Sequence, residues 1–269
     1  MSASFAHSSS PVRDFAIDAT IGALYDAPMP RKAKAPGRPT NKFFPNRLTL
    51  GIDEAGRGPA VGPMVMAAVA LDSKAAAALT RKGLRDSKAY GAGEDAHLLR
   101  TELAAEIRAR AQFVTVIEVS HTEIDDRVSR NELNVLEREC AIKMITLAPS
   151  CDKIIADGKR MFSSLTMRYE QFISIDHAED HHAAVAAASV IAKVLRDDRF
   201  NAIRARYEPE LGPITGGGYS NAHTRKWVRA YCELHGKLPD EARKSWPHTY
   251  VHDLIGDTTL PTAQQSLFS

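Results

Sequence analysis

The sequence predicts an α/β fold, a mixed sheet of about five strands covered by helices. Three observations lead there. Two apolar runs, Leu48-Thr-Leu-Gly-Ile-Asp53 and Met64-Val-Met-Ala-Ala-Val-Ala-Leu71, stand close together across a Gly/Pro turn. A third, Phe113-Val-Thr-Val-Ile-Glu-Val119, is rich in β-branched residues. Beyond it, short strand-like runs alternate with stretches of helical spacing. With 269 residues, 44% hydrophobic and 25% charged, the chain has ordinary globular composition and enough length for a sizeable core. A fibrous or wholly disordered chain is excluded.

In chain order, residues 1–46 are expected to be a disordered, basic, Pro-rich arm. Pro28, Pro30, Pro36, Pro39 and Pro45 interrupt any regular element, and Arg31, Lys32, Lys34, Arg38, Lys42 and Arg47 carry charge with no acid among them. Such an arm serves either as a non-specific tether to phosphate backbones or as a solvated linker. Order begins at Leu48. The first two strands are expected to be antiparallel neighbours. Residues 97–110 read as a helix, then come the strand at 113–119 and a helix at 131–147. Lys153-Ile-Ile-Ala-Asp157 and Phe172-Ile-Ser-Ile175 are two further strands. An Ala-rich helix follows from about Ala183 to Arg206, which Pro209 and Pro213 are expected to end.

Thirty-five Lys and Arg against 33 Asp and Glu give a formal charge of +2, too balanced for a chain that merely coats nucleic acid. Cys140, Cys151 and Cys232 are odd in number and form no C-x-x-C pair, which argues against a disulfide framework or a structural zinc site. No apolar run approaches the ~20 residues needed to span a bilayer, and no secretory signal pattern opens the chain. Asp14, Asp18 and Asp26 spoil a transit-peptide reading. A cytoplasmic protein with no membrane association is the expectation.

Chemistry gathers at strand ends. Asp53-Glu54 lie where the first strand runs into the Gly-rich turn Ala55-Gly56-Arg57-Gly58-Pro59. Asp157 ends another strand, and His177-Ala-Glu179-Asp180-His181-His182 precedes the Ala-rich helix. Acids at the carboxyl ends of strands face a crevice in sheets of this kind. Gathered together they repel unless cations compensate, and hard oxygen ligands suit Mg²⁺ or Mn²⁺ rather than zinc. Two such ions about 4 Å apart can drive phosphodiester hydrolysis. The three histidines are poorer ligands for hard ions and read as solvated or hydrogen-bonding groups.

Gly51-Ile-Asp-Glu-Ala-Gly-Arg-Gly-Pro59, Asp86-Ser-Lys88, Asp157-Gly158, Ala186-Ala-Ala-Ser-Val-Ile-Ala-Lys193 and Gly217-Gly-Tyr219, in this order, resemble the signature of type 2 ribonucleases H, the ribonuclease HII family. The resemblance covers about residues 48–250. It implies a ribonuclease H-like catalytic core over 47–207 and a helical, substrate-binding C-terminal extension over 208–256; residues 257–269, with no helical or strand period, read as a flexible tail. The resemblance further implies metal-dependent cleavage of RNA in RNA–DNA hybrids and at ribonucleotides embedded in duplex DNA, leaving 3′-hydroxyl ends. By position, Asp53, Glu54 and Asp157 match three of the family's metal-binding carboxylates. The fourth falls on Glu179, where the family usually has aspartate, with Asp180 as the alternative. That departure motivates a rival expectation, a catalytically silent hybrid-binding protein.

Glycines at Gly56 and Gly58 permit close backbone approach to a phosphate or ribose hydroxyl, though a plain tight turn would need them too. The resemblance implies that Gly56-Arg57-Gly58, with Tyr219, reads the junction where RNA passes to DNA, the 2′-hydroxyl being its chemical mark. Lys88, Asn134, Ser189 and Lys193 are the expected phosphate contacts, Ser189 and Lys193 sharing a helix face. Lys193 could instead be a solvated lysine beside Asp197. The tail ends in Gln264-Gln265-Ser266-Leu267-Phe268-Ser269, which resembles the short peptides that dock bacterial replication and repair proteins on the sliding clamp, with Gln264, Leu267 and Phe268 as the contacts.

Overall fold

The structure, a computed structural model, describes residues 47–257. The basic arm and the clamp-type peptide with Gln264, Leu267 and Phe268 lie outside the described residues. The five expected strands form one sheet in the order β3-β2-β1-β4-β5, where β1 is Thr49–Ala55, β2 Met64–Leu71, β3 Phe113–Val119, β4 Lys153–Asp157 and β5 Phe172–Ile175. β1, β2 and β3 are antiparallel neighbours, and β1 pairs with β4, and β4 with β5, in parallel. The central strand is therefore the hinge of the topology, antiparallel on one side and parallel on the other.

Both faces of the sheet are covered, as the unbroken apolar run of β2 requires. Met64, Met66, Ala68 and Ala70 point into one core, and Val65, Ala67, Val69 and Leu71 into the other, because successive strand residues alternate in direction. The first core is closed by helices α3 (His121–Ser129) and α4 (Leu133–Leu147). The second is closed by α1 (Ser73–Arg81), α2 (Glu94–Arg110) and the long Ala-rich helix α7 (Ala183–Leu211). Two single-turn helices, α5 (Lys159–Phe162) and α6 (Leu165–Arg168), bridge β4 to β5. The small residues of α7 let it lie close on β1. A Cβ at Gly51 would come within 2.1 Å of the Ala184 carbonyl carbon, so any side chain there would force α7 off the sheet.

Several boundaries differ from expectation. β1 starts one residue later than Leu48 and continues through Asp53 and Glu54 to Ala55, so both carboxylates belong to the strand itself. The helix expected at 97–110 starts at Glu94, since Glu94 and Asp95 suit a first turn. The helix expected from Asn131 starts at Leu133, because Asn131 has a φ of 58°. α7 runs past Arg206 and through Pro209 to Leu211, ending at Gly212. A proline this close to a helix end forfeits one hydrogen bond and still fits. The expected boundary between core and extension at 207/208 thus falls inside a continuous helix. The sequence reading missed α1 and α3, short helices capped by Asp72 and Ser120.

Beyond α7, helix α8 (Ala222–His235) packs on its C-terminal half, and the one-turn α9 (His252–Ile255) packs on α8. Phe200, Ile203 and Tyr207 of α7 meet Trp227, Val228 and Tyr231 of α8, with Val61 from the turn after β1. This third core joins the extension to the end of the sheet where β1 stops.

Candidate active site

Register brings the acids to one end of the sheet. Ile52 pairs with Ala156, so Asp53 and Asp157 follow side by side on adjacent parallel strands, facing α7. Glu54, one residue on, points to the opposite face, toward α4. Glu179 comes from the 3-10 turn Ala178–Asp180 after β5 and is 4% exposed, whereas Asp180 is exposed. The backbone fixes these positions: Ala178 donates its N–H to Asp157 Oδ1 at 3.0 Å, and Glu54 donates its N–H to Asp53 Oδ1 at 2.8 Å.

Behind Asp53 stands a hydroxyl chain. Ser189 of α7 hydrogen-bonds Asp53, and its hydroxyl lies 2.9 Å from that of Ser87 in the 3-10 turn Ser87–Tyr90. Ser189 is 5% exposed, so the structure places it inside, orienting Asp53, and not on an open phosphate-facing surface. The sequence reading saw the helix face but not its burial. Lys193, one turn on, is bonded to Asp197 at 2.6 Å, and burial holds its pKa below the ordinary lysine value. Lys88 is different. It is exposed, it lies 3.5 Å from Glu179, and although burial alone would lower its pKa, Asp86, Glu179 and Asp53 together raise it.

The acids strain against one another. Burial pushes Asp53 up to about 8, against the hydrogen bonds from Ser189 and Glu54 and with the fields of Asp157 and Glu179 adding to the rise. Glu54 is raised well above its usual range by burial, Asp53 and Glu137, and Glu179 is raised by burial and Asp157. Oε2 of Glu54 and Oε2 of Glu179 are buried with no hydrogen-bond partner. Orphaned, hard carboxylate oxygens in a shared negative field fit a divalent cation such as Mg²⁺ or Mn²⁺. Among the described residues no three His, Cys, Asp or Glu side chains are already drawn together as a metal-holding group, and Asp53 and Glu54 leave β1 on opposite faces. His181 and His182 stand apart, lining a cavity of about 190 Å³ with Arg47, Thr49 and Lys153 at the opposite ends of β1 and β4.

The Gly-Arg-Gly turn leaves β1 beside these acids. Gly56 has a φ of 86°, which glycine alone adopts without strain, and a Cβ there would come within 2.7 Å of the Pro63 carbonyl oxygen. Arg57 folds back, donating from Nε to Glu137 at 2.8 Å and from Nη2 to Asn134 at 2.7 Å. Asn134 is thus occupied by Arg57. Tyr219 is 43% exposed and flanks the turn: a Cβ at Gly58 would lie 4.0 Å from its Cε1. The buried Arg196 of α7 lies over the Tyr219 ring, 5.3 Å from its centroid, and donates to the Gly217 carbonyl. Sequence reasoning missed Arg196, Glu137 and the Arg243–Trp246 run. Their only signal was charge at apolar helical spacing, or an aromatic after a basic residue in an otherwise featureless stretch.

A profile describing ribonuclease HII matches residues 50–249. The ribonuclease HII of Pyrococcus furiosus is 34% identical over 203 residues, covering 73% of this chain and 87% of that one. Among solved structures, ribonuclease H2 from Pyrococcus horikoshii OT3 superposes with a TM-score of 0.65 at 27% identity, over 78% of this chain and 98% of that one. The ribonuclease HII of Archaeoglobus fulgidus, solved in complex with PCNA, gives 0.62 at 30% identity, over 74% and 95%. No helix among the described residues is long and apolar enough to cross a membrane. The chain belongs to the ribonuclease HII family and is an endoribonuclease of the ribonuclease H class, acting on the RNA of RNA–DNA hybrids.

Proposed function

We propose that the enzyme also cuts at ribonucleotides embedded in duplex DNA, leaving 3′-hydroxyl ends, and that Asp53, Glu54, Asp157 and Glu179 hold the Mg²⁺ or Mn²⁺ it needs. The observation that carries this is the pair of buried, partnerless oxygens on Glu54 and Glu179, set beside Asp53 and Asp157 at one end of the sheet. When bound, the divalent ion supplies Lewis acidity at the phosphate and lowers the pKa of an attacking water. The chain's own groups do the rest. Ser189 and the Glu54 N–H hold Asp53 in one orientation, and the Ala178 N–H does the same for Asp157. Lys88, exposed and raised in pKa, is free to leave Glu179 for a substrate phosphate.

Recognition divides between two surfaces. Carbonyls of Gly56 and Arg57 are bonded inward, and a trans peptide points its N–H opposite to its C=O. The N–H groups of Arg57 and Gly58 therefore face outward, where they can donate to a phosphate or to a 2′-hydroxyl. Tyr219, half open beside Gly58, offers a stacking surface for the next sugar, and a 2′-hydroxyl there would clash. Lys193 and Asn134 act indirectly, through Asp197 and Arg57. Gln264, Leu267 and Phe268 dock the enzyme on a replication sliding clamp, a reading supported by the PCNA complex of the Archaeoglobus fulgidus relative. A cytoplasmic location fits this work on chromosomal DNA.

The test is a duplex carrying one ribonucleotide, incubated with Mg²⁺, Mn²⁺ or EDTA, with the product ends mapped. Metal-dependent incision leaving a 3′-hydroxyl is expected. Binding without incision in either metal would overturn the embedded-ribonucleotide reading.

A further inference from the structure

The substrate-reading turn is gripped from behind by a segment far away in sequence. Arg243 donates from Nη1 to the Arg57 carbonyl at 2.7 Å, from Nη2 to the Gly56 carbonyl, and from Nε to the Gly62 carbonyl at 3.0 Å. Trp246 donates its indole N–H to the Gly58 carbonyl at 3.1 Å. Every carbonyl of Gly56-Arg57-Gly58 is thereby held by the C-terminal extension. The gripping segment is itself pinned. Asp125 of α3 accepts from the N–H groups of Lys244 and Ser245, each at 2.9 Å, and His248 Nε2 lies 2.8 Å from the Arg243 carbonyl.

Arg243 is fully buried, and its hydrogen-bond partners are carbonyls rather than a carboxylate. Burial and the neighbouring Arg196 bring its pKa down to about 9, which still leaves it charged at neutral pH. A buried cation satisfied by carbonyls and by the Trp246 ring, whose centroid lies 4.8 Å from its Cζ, with no carboxylate bonded to it, is expensive unless its geometry serves something else. Here it sets three peptide planes and lays positive charge directly behind two outward N–H groups.

We propose that Arg243, assisted by Trp246, is a specificity-determining positioning residue that fixes the Gly56–Gly58 peptides for recognition of a lone ribonucleotide. The proposal rests on the substrate reading given above. A guanidinium reaches three carbonyls at once through its planar fork, which an ammonium on a flexible stem does not reproduce. Reading one hydroxyl requires donors held within about 0.5 Å. A continuous hybrid offers a 2′-hydroxyl at every RNA nucleotide and so tolerates a loosened turn. A duplex with a single ribonucleotide offers one.

The experiment compares kcat/KM of the full chain, Arg243→Lys and Trp246→Phe on two substrates in Mg²⁺, a duplex with one ribonucleotide and a continuous RNA–DNA hybrid, with melting curves for each protein. The ratio of single-ribonucleotide to continuous-hybrid kcat/KM should fall at least tenfold in Arg243→Lys and a few-fold in Trp246→Phe, mainly through KM. An unchanged ratio in a cooperatively melting variant, or equal losses on both substrates, would overturn the proposal. If Arg243→Lys does not fold, the Trp246→Phe ratio decides. Native protein that cuts the hybrid but not the single-ribonucleotide duplex would sink the substrate reading itself, and this proposal with it.

Discussion

The ammonium of Lys88 lies 3.5 Å from Oε1 of Glu179, the lysine side chain 78% exposed and the glutamate's 3%. A buried acid held by a solvated cation is easily released to a stronger one, since an exposed pair contributes little by itself. Its neighbour Asp180 points to solvent. Glu179→Gln should therefore reduce cleavage far more than Asp180→Asn and should weaken Mg²⁺ binding measured by calorimetry. The opposite ranking would move the fourth ligand to Asp180.

Asp53 ties stability to pH. Its pKa is about 8 in the fold against an ordinary 3.8, so between those values the folded state holds a proton that the unfolded chain has lost. Stability from this group is therefore full below about pH 4 and lost as pH rises toward 8. In EDTA, Asp53→Asn should melt several degrees above the native chain at pH 8 and level with it near pH 4. Mg²⁺ should raise the native melting temperature at pH 8 and leave that of the variant nearly unmoved. A gap that is largest at acid pH would contradict the sign.

Tyr219 has the exposure of a contact residue and only partial packing, against Arg196 and the Gly58 side of the turn. Tyr219→Ala removes a stacking surface worth about 1–3 kcal/mol. Cleavage of a single-ribonucleotide duplex should fall roughly ten- to a hundredfold while Mg²⁺ affinity holds. Unchanged cleavage would return Tyr219 to a structural role.

The tail prediction separates tethering from chemistry. Deleting residues 264–269 should abolish clamp binding, measured by surface plasmon resonance, and leave cleavage of a short free duplex unchanged. The gain from tethering is effective concentration, with no new active-site contact. Intact protein that does not bind the clamp would end the idea.

What the sequence made legible follows its periodicities. The run Met64–Leu71 announced a strand beside the first, and the Asp53 and Asp157 strand ends placed two acids at one edge before any register was known. Alternation along β1 was legible too, yet its consequence was overlooked: Asp53 and Glu54 leave the strand in opposite directions and meet different helices. Ser189 read as a phosphate contact, and its burial was not legible because an Ala-rich helix does not declare which polar residue faces inward. Arg243 and Arg196 were invisible for a related reason. A buried arginine is made affordable by carbonyls from distant loops, and such partners leave no local pattern.

The most direct test concerns the acids on β1 and β4. Cleavage of an RNA–DNA hybrid by the native chain, Asp53→Asn and Asp157→Asn is measured in Mg²⁺, Mn²⁺ and EDTA, alongside hybrid binding by fluorescence anisotropy. If these carboxylates hold the catalytic metal, the native chain cuts only with a divalent ion, and both variants bind the hybrid normally while cleavage drops to background. Near-native cleavage by either variant, or undiminished cleavage by the native chain in EDTA, would contradict that assignment.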